Sequence, residues 1–87
     1  MNHERLPCPV CACLTLSVRP PGSHDICPVC FWEDDPVQAD DPDYAGGANA
    51  ASLIEARANY AAFGASDTRL REHVRPPLPE EIPPGQC

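Results

Sequence analysis

Lysine is missing from this 87-residue chain, and aromatic side chains are few: two Phe, two Tyr and one Trp. Each scarcity excludes something. With six arginines as the only permanent cations against thirteen acidic residues, the formal net charge is −7. Such a field repels a phosphate backbone, which disfavours non-specific nucleic-acid binding. No stretch approaches the roughly 20 apolar residues that a membrane span needs. No apolar run of signal-peptide length follows Met1, so a cytoplasmic setting is expected. A chain of this length makes one small domain. With so few aromatic side chains, that domain needs a staple: disulfides, a metal or a partner.

Cysteine and proline are plentiful, at six and twelve residues. In a reducing compartment, paired cysteines serve a metal more often than a disulfide. Cys8-Pro9-Val10-Cys11 and Cys27-Pro28-Val29-Cys30 are two C-x2-C pairs separated by fifteen residues, a spacing that reads as a zinc site. Each C-x2-C turn sets two sulfurs on one side of a tight loop, near enough to share an ion at ~2.3 Å. Two such knuckles complete a tetrahedral Cys₄ shell, with one zinc per chain held by Cys8, Cys11, Cys27 and Cys30. Iron also suits four sulfurs, and the colour of its thiolate complex would distinguish it. A closed shell offers no open position for water or substrate, so zinc-dependent hydrolysis is not supported and the balance leans away from an enzyme. Four bound thiolates and one Zn²⁺ add about −2 to the net charge.

Between the knuckles, Leu14, Leu16 and Val18 alternate with Thr15 and Ser17, the pattern of a half-buried strand. Arg19 to Ser23 reads as a turn built on Pro20, Pro21 and Gly22, and His24-Asp25-Ile26 returns toward the second pair. A hairpin of this kind brings both knuckles to its open end. Residues 34–51 read as an acidic loop. Its Asp34, Asp35, Asp40, Asp41 and Asp43 do not match the EF-hand spacing and are expected to be solvated. Ser52 and Glu55 form a capping box, after which Leu53, Ala56, Tyr60 and Phe63 fall on one helical stripe that ends at Gly64. Ser66 or Asp67 caps a second short helix running to Val74. Residues 1–74 thus form the domain, and 75–87, with five prolines, an extended tail.

Phe31 and Trp32 are expected to cover the metal and start the core. Cys13 reads as a small buried side chain, and Cys87 as an oxidisable thiol on the tail. His3, His24 and His73 read as ordinary polar residues, with His24 the first substitute ligand to test.

From Cys8 to Phe63 the chain resembles the CPCC family of short, cysteine-rich, mostly bacterial proteins. The resemblance is carried by both Cys-Pro-Val-Cys knuckles with Leu14-Thr15-Leu16, and by Ile26 to Asp35, which contains Phe31-Trp32-Glu33-Asp34-Asp35. Asp41-Pro42-Asp43-Tyr44, Gly46-Gly47-Ala48-Asn49, Ser52-Leu53, Glu55-Ala56-Arg57, Asn59 and Phe63 to Ser66 continue it. Val10 stands where the family name has a cysteine, while Cys8 and Cys11 are kept. This departure favours the simple four-cysteine shell. The resemblance implies a zinc-ribbon-like protein and supplies no reaction.

The expectation is therefore a small α+β metal-stabilised domain: a zinc-ribbon-like knuckle–hairpin–knuckle, one main helix and a short second helix. Its leading function is a zinc-stabilised protein-interaction module whose partner meets the acidic loop with a basic patch. A thiol-based redox sensor that loses zinc on oxidation, with Cys13 or Cys87 taking part, is the alternative. A nucleic-acid-binding ribbon comes third.

Overall fold

The computed structural model describes residues 5–17 and 20–83. Two short strands, β1 (Leu6–Pro7) and β2 (Leu14–Leu16), pair antiparallel with Leu6 opposite Leu16 and Pro7 opposite Leu14. They flank the first knuckle. The second knuckle is flanked in the same way by an isolated antiparallel bridge between Ile26 and Glu33. Among the described residues, then, each hairpin closes around one knuckle, and the expected pairing of residues 14–18 with 24–26 is absent. Each knuckle draws its own flanks together through a local turn, Cys8 N donating to Cys13 O and Cys27 N to Trp32 O, so pairing runs across each turn and not between the two. In place of a ladder, the Asp25 carboxylate accepts bonds from Ser17 N at 3.2 Å and Ser17 Oγ at 3.0 Å.

The main helix, α2 (Leu53–Phe63), begins and ends as its sequence dictates. Ser52 Oγ accepts from Glu55 N at 3.1 Å, and Glu55 Oε1 accepts from Ser52 N at 2.9 Å, which completes the capping box. Gly64 closes the helix at φ 81°, a left-handed conformation that glycine adopts without steric cost. Leu53 and Ala56 are buried, and Tyr60 packs half-buried against the core. The expected second helix is a single 3₁₀ turn, Thr68–Leu70, capped by Asp67. A further 3₁₀ turn, Pro79–Glu81, lies in the proline-rich segment, where Arg75 makes a bidentate pair with Glu81 at 2.8 Å in both contacts.

The segment between Trp32 and Ser52 is more ordered than a solvated loop. It contains a five-residue helix, α1 (Pro36–Asp40), which has Asp35 as N-cap and Pro36 in its first turn. Asp34 and Asp35 are buried, whereas Asp40, Asp41 and Asp43 are exposed. Asp34 Oδ2 accepts from Ser23 N at 2.9 Å and from Ser23 Oγ at 2.7 Å. Asp35 receives Val37 N on one oxygen and Ala48 N on the other, both at 2.9 Å. Those amides, Ala48 first, hold its carboxyl below the usual carboxylate range. Asp35→Asn would turn an NH₂ group or a poorer acceptor toward one of them, and is expected to cost about 1–3 kcal/mol in denaturant unfolding at neutral pH.

Gln38 is completely buried at the centre of this segment. Its Nε2 lies 3.0 Å from Tyr44 O, 3.1 Å from Asn49 O and 3.0 Å from Ala51 O. Its Oε1 accepts from Asn49 N at 3.1 Å and Asn49 Nδ2 at 2.9 Å. The Asn49 amide in turn serves both backbone groups of Glu33, accepting from its N at 2.9 Å and donating to its O at 2.8 Å. A side-chain carboxamide thus stands in for a strand partner at the edge of the second knuckle. Gly47 is glycine because of space: a Cβ there would sit 2.6 Å from Asp35 Oδ2 and 3.0 Å from Gln38.

Candidate metal centre

The two Cys-Pro-Val-Cys segments fold into turns with the same backbone hydrogen-bond pattern. Cys8 N donates to Cys13 O and Cys27 N to Trp32 O, each at 2.9 Å. Ala12 N returns to Cys8 O at 2.9 Å, and Phe31 N to Cys27 O at 2.7 Å. Ala12 and Phe31 occupy the same left-handed position, at φ 66° and 68°. The repeat in sequence is therefore a repeat in structure, with Cys13 and Trp32 as equivalent exits from the two knuckles.

A left-handed backbone costs a residue with a Cβ about 1–2 kcal/mol. Glycine gives back about 0.5–1 kcal/mol through its freer unfolded chain. Ala12→Gly is accordingly expected to raise stability by up to about 1 kcal/mol, read as a higher denaturant midpoint with unchanged metal stoichiometry.

Both knuckles are pinned from outside by their proline carbonyls. Arg57 Nε on α2 donates to Pro9 O at 2.9 Å, and Arg75 N donates to Pro28 O at 3.3 Å. Ser66 N adds a bond to Cys30 O at 2.9 Å. The helix and the segment after it thus hold the two turns facing each other. Cys8, Cys11, Cys27 and Cys30 converge as free cysteines, all buried. Their sulfurs lie within 4.8 Å of one another, with Cys8 Sγ 3.5 Å from Cys30 Sγ and Cys11 Sγ 3.7 Å from Cys27 Sγ. A tetrahedron of sulfurs ~2.3 Å from a central ion has edges of about 3.8 Å, so the cluster has the right size and donor chemistry to hold a metal.

The electrostatics point the same way. Four thiols packed together share their protons unequally. The Cys8 thiol is pushed up, first by Cys11 and then by Cys27, and burial adds to this. Cys30 is pushed up by Cys11 first, followed by Cys27 and Cys8. Cys27 is pushed down by Cys11, Cys30 and Cys8, with the Thr15 hydroxyl contributing. A divalent cation removes this conflict, because it stabilises all four thiolates at once. The Tyr60 phenol lies close enough that the cysteines push it up as well, after burial.

Trp32, 2% exposed, packs in the core cluster with the four cysteines, Leu16, Val29, Leu53 and Ala56. Phe31 is only half-buried and stacks on His73, with ring centroids 5.3 Å apart. His24 is exposed and lies outside the cluster; its Nδ1 is 3.4 Å from Glu33 Oε2. Cys13 is fully buried as expected, but it is disulfide-bonded and not a free small side chain. Cys87 and His3 lie outside the described residues. The preference for metal over disulfide thus fails at this one cysteine, which sits at the knuckle exit and not among the four sulfurs. Sequence reading also missed Thr15 as a site residue. It was expected on the polar side of a half-buried strand, yet that side faces the cysteine cluster.

The fold and the site together define a small cysteine-rich α+β domain with a buried four-cysteine cluster that could hold a metal ion. The chain belongs to the cysteine-rich CPCC family, whose model matches residues 6–81. A comparison with curated proteins finds no match.

Proposed function

We propose that Cys8, Cys11, Cys27 and Cys30 bind one zinc ion that organises the fold, and that the domain so organised is a protein-interaction module. The convergence of four buried free sulfurs from two matching knuckles carries this reading. Zinc is favoured because it takes four thiolates in a closed tetrahedral shell without redox chemistry. Native mass spectrometry of the protein purified without added metal should show one zinc per chain. A colourless solution argues against iron, and a metal-free, folded protein would end the proposal.

The interaction surface lies around the acidic segment. Val37, Tyr44 and Ile54 are large apolar side chains that stay 44–57% exposed, and exposed Asp40, Asp41 and Asp43 accompany them. A basic protein surface with an apolar centre complements that combination. Every described arginine is already engaged: Arg5 with Thr15 O, Arg57 with Pro9 O, Arg69 with Asp67, Arg71 with Phe63 and Arg75 with Glu81. No basic face is built from them, which weighs against a nucleic-acid role; retention on heparin at physiological salt would revive it. Among the described residues no helix is long and apolar enough to cross a membrane. We assign the protein to the cytoplasm, where four thiols stay available to a metal.

A redox reading is favoured by one observation: oxidised Cys13 leaves the first knuckle two residues after reduced Cys11. In this reading a peroxide takes two electrons from a cross-knuckle thiolate pair and two protons from solvent. One disulfide forms, the peroxide is reduced to water, and zinc leaves. Zinc that is released by mild peroxide and regained after thiol reduction would support the sensor, and zinc that stays bound would support the passive module.

A further inference from the structure

The two knuckles repeat each other, but the hydrogen bonds to their sulfurs do not. In the first, Val10 N donates to Cys8 Sγ at 3.4 Å, a bond made within the turn itself. In the second, the sulfur at the equivalent position, Cys27, receives its bond from outside the knuckle. Thr15 Oγ1, on β2, donates to Cys27 Sγ at 3.0 Å. Thr15 is 5% exposed and Cys27 is 0% exposed, so the bond is shielded from water. Cys11 and Cys30 accept no bond from any oxygen or nitrogen among the described residues.

We propose that Thr15 is a positioning residue for the metal centre, whose hydroxyl makes Cys27 the least nucleophilic of the four metal-bound sulfurs. A donor aimed at a thiolate lone pair draws charge from the sulfur and fixes its direction toward the metal. In a shell carrying about −2 net charge, that withdrawal offsets some of the repulsion among the ligands. Burial makes the effect larger than it would be in water. Partners of this kind typically change metal affinity by about 10–100-fold. The consequence is an ordered site: an electrophile that reaches the loaded centre reacts with the other sulfurs before Cys27. This rests on the zinc reading above.

Cys30 provides an internal control. It is as sealed as Cys27, at 0% exposure, and lacks the hydroxyl bond. The zinc-loaded protein is treated with limiting iodoacetamide, which forms an S–C bond and expels iodide, and the alkylated cysteines are mapped by mass spectrometry. In the wild type, Cys30 should be modified several-fold faster than Cys27. Thr15→Val, which keeps the shape and removes the donor, should erase that difference and weaken zinc by about 10–100-fold in competition with a chromophoric chelator. Thr15→Ser should restore both. Cobalt(II) loaded into wild type and Thr15→Val should differ in the energy of the sulfur-to-metal charge-transfer band, a signature that lost packing alone does not move. Equal alkylation of Cys27 and Cys30 in the wild type overturns the proposal, and that comparison decides the matter even if Thr15→Val does not fold. Absence of stoichiometric zinc would instead overturn the underlying metal reading.

Discussion

Cys30→Ser is expected to leave the protein unfolded and unable to retain stoichiometric zinc. The side chain is completely buried and contributes one of four convergent sulfurs, so the variant opens the shell where solvent does not otherwise enter. A serine hydroxyl at that place is a poor ligand for a borderline-soft ion, and it becomes a buried polar group without a partner. The expected effect is large because of what remains without the metal. The largest fully buried side chains are Trp32, Leu16, Gln38, Val29 and Asp34, of which two are polar. Such a core falls well short of the conformational entropy of the chain. A structural zinc contributes ~10–16 kcal/mol at neutral pH, as much as the whole net stability of an ordinary domain, about 5–15 kcal/mol. The measurement is near-ultraviolet circular dichroism, since Trp32 packs against the cysteines and loses its fixed environment when they separate. Chelation of the wild type should give the same spectrum. Acidification should also do so, because every ligand must be deprotonated to hold the ion.

Gln38→Met should produce the second largest loss, about 2–4 kcal/mol, with the metal still bound. Methionine matches the length of glutamine and fills the site, so the cost is polar and not a cavity. Removing the amide strands the carbonyls of Tyr44, Asn49 and Ala51 together with Asn49 N, and unsatisfied buried groups cost about 1–3 kcal/mol each where water cannot replace the partner. Some of those carbonyls lie near the surface and can rehydrate, which keeps the sum below the simple total. The expected signature is specific: chemical unfolding shows a lower midpoint, while limited proteolysis cuts first between residues 42 and 51. Unchanged protease resistance there would mean that the loop is held by something other than Gln38.

Those two residues also mark what the sequence could and could not disclose. The convergence of the four cysteines was legible because C-x2-C spacing is a local rule: the tetrapeptide itself fixes where two sulfurs point. The capping box at Ser52 and the stop at Gly64 were legible for the same reason, since caps depend on residues three or four positions apart. Helix α1 was not. Its five residues carry no apolar stripe, its only buried side chain is Gln38, and the Asp35-Pro36 start signal was hidden in a run of acidic residues. Asp34 and Asp35 look like solvated charges in sequence, but their partners, Ser23 and Ala48, lie eleven and thirteen positions away. Strand pairing was misjudged because period-2 alternation finds a strand without saying which neighbour it joins. Thr15 was missed on the same ground: alternation sorts side chains into two faces, and polarity alone could not show that the second face meets sulfur and not water.

The central claim is that four cysteines from two matching turns close a single tetrahedral shell around one zinc ion. X-ray absorption at the zinc edge, on protein purified without added metal, tests it most directly. The expected spectrum is that of four sulfur scatterers at ~2.3 Å with no nitrogen or oxygen in the first shell, at one zinc per chain. A shell containing a light atom, fewer than four sulfurs, or substoichiometric zinc in a folded protein would contradict it.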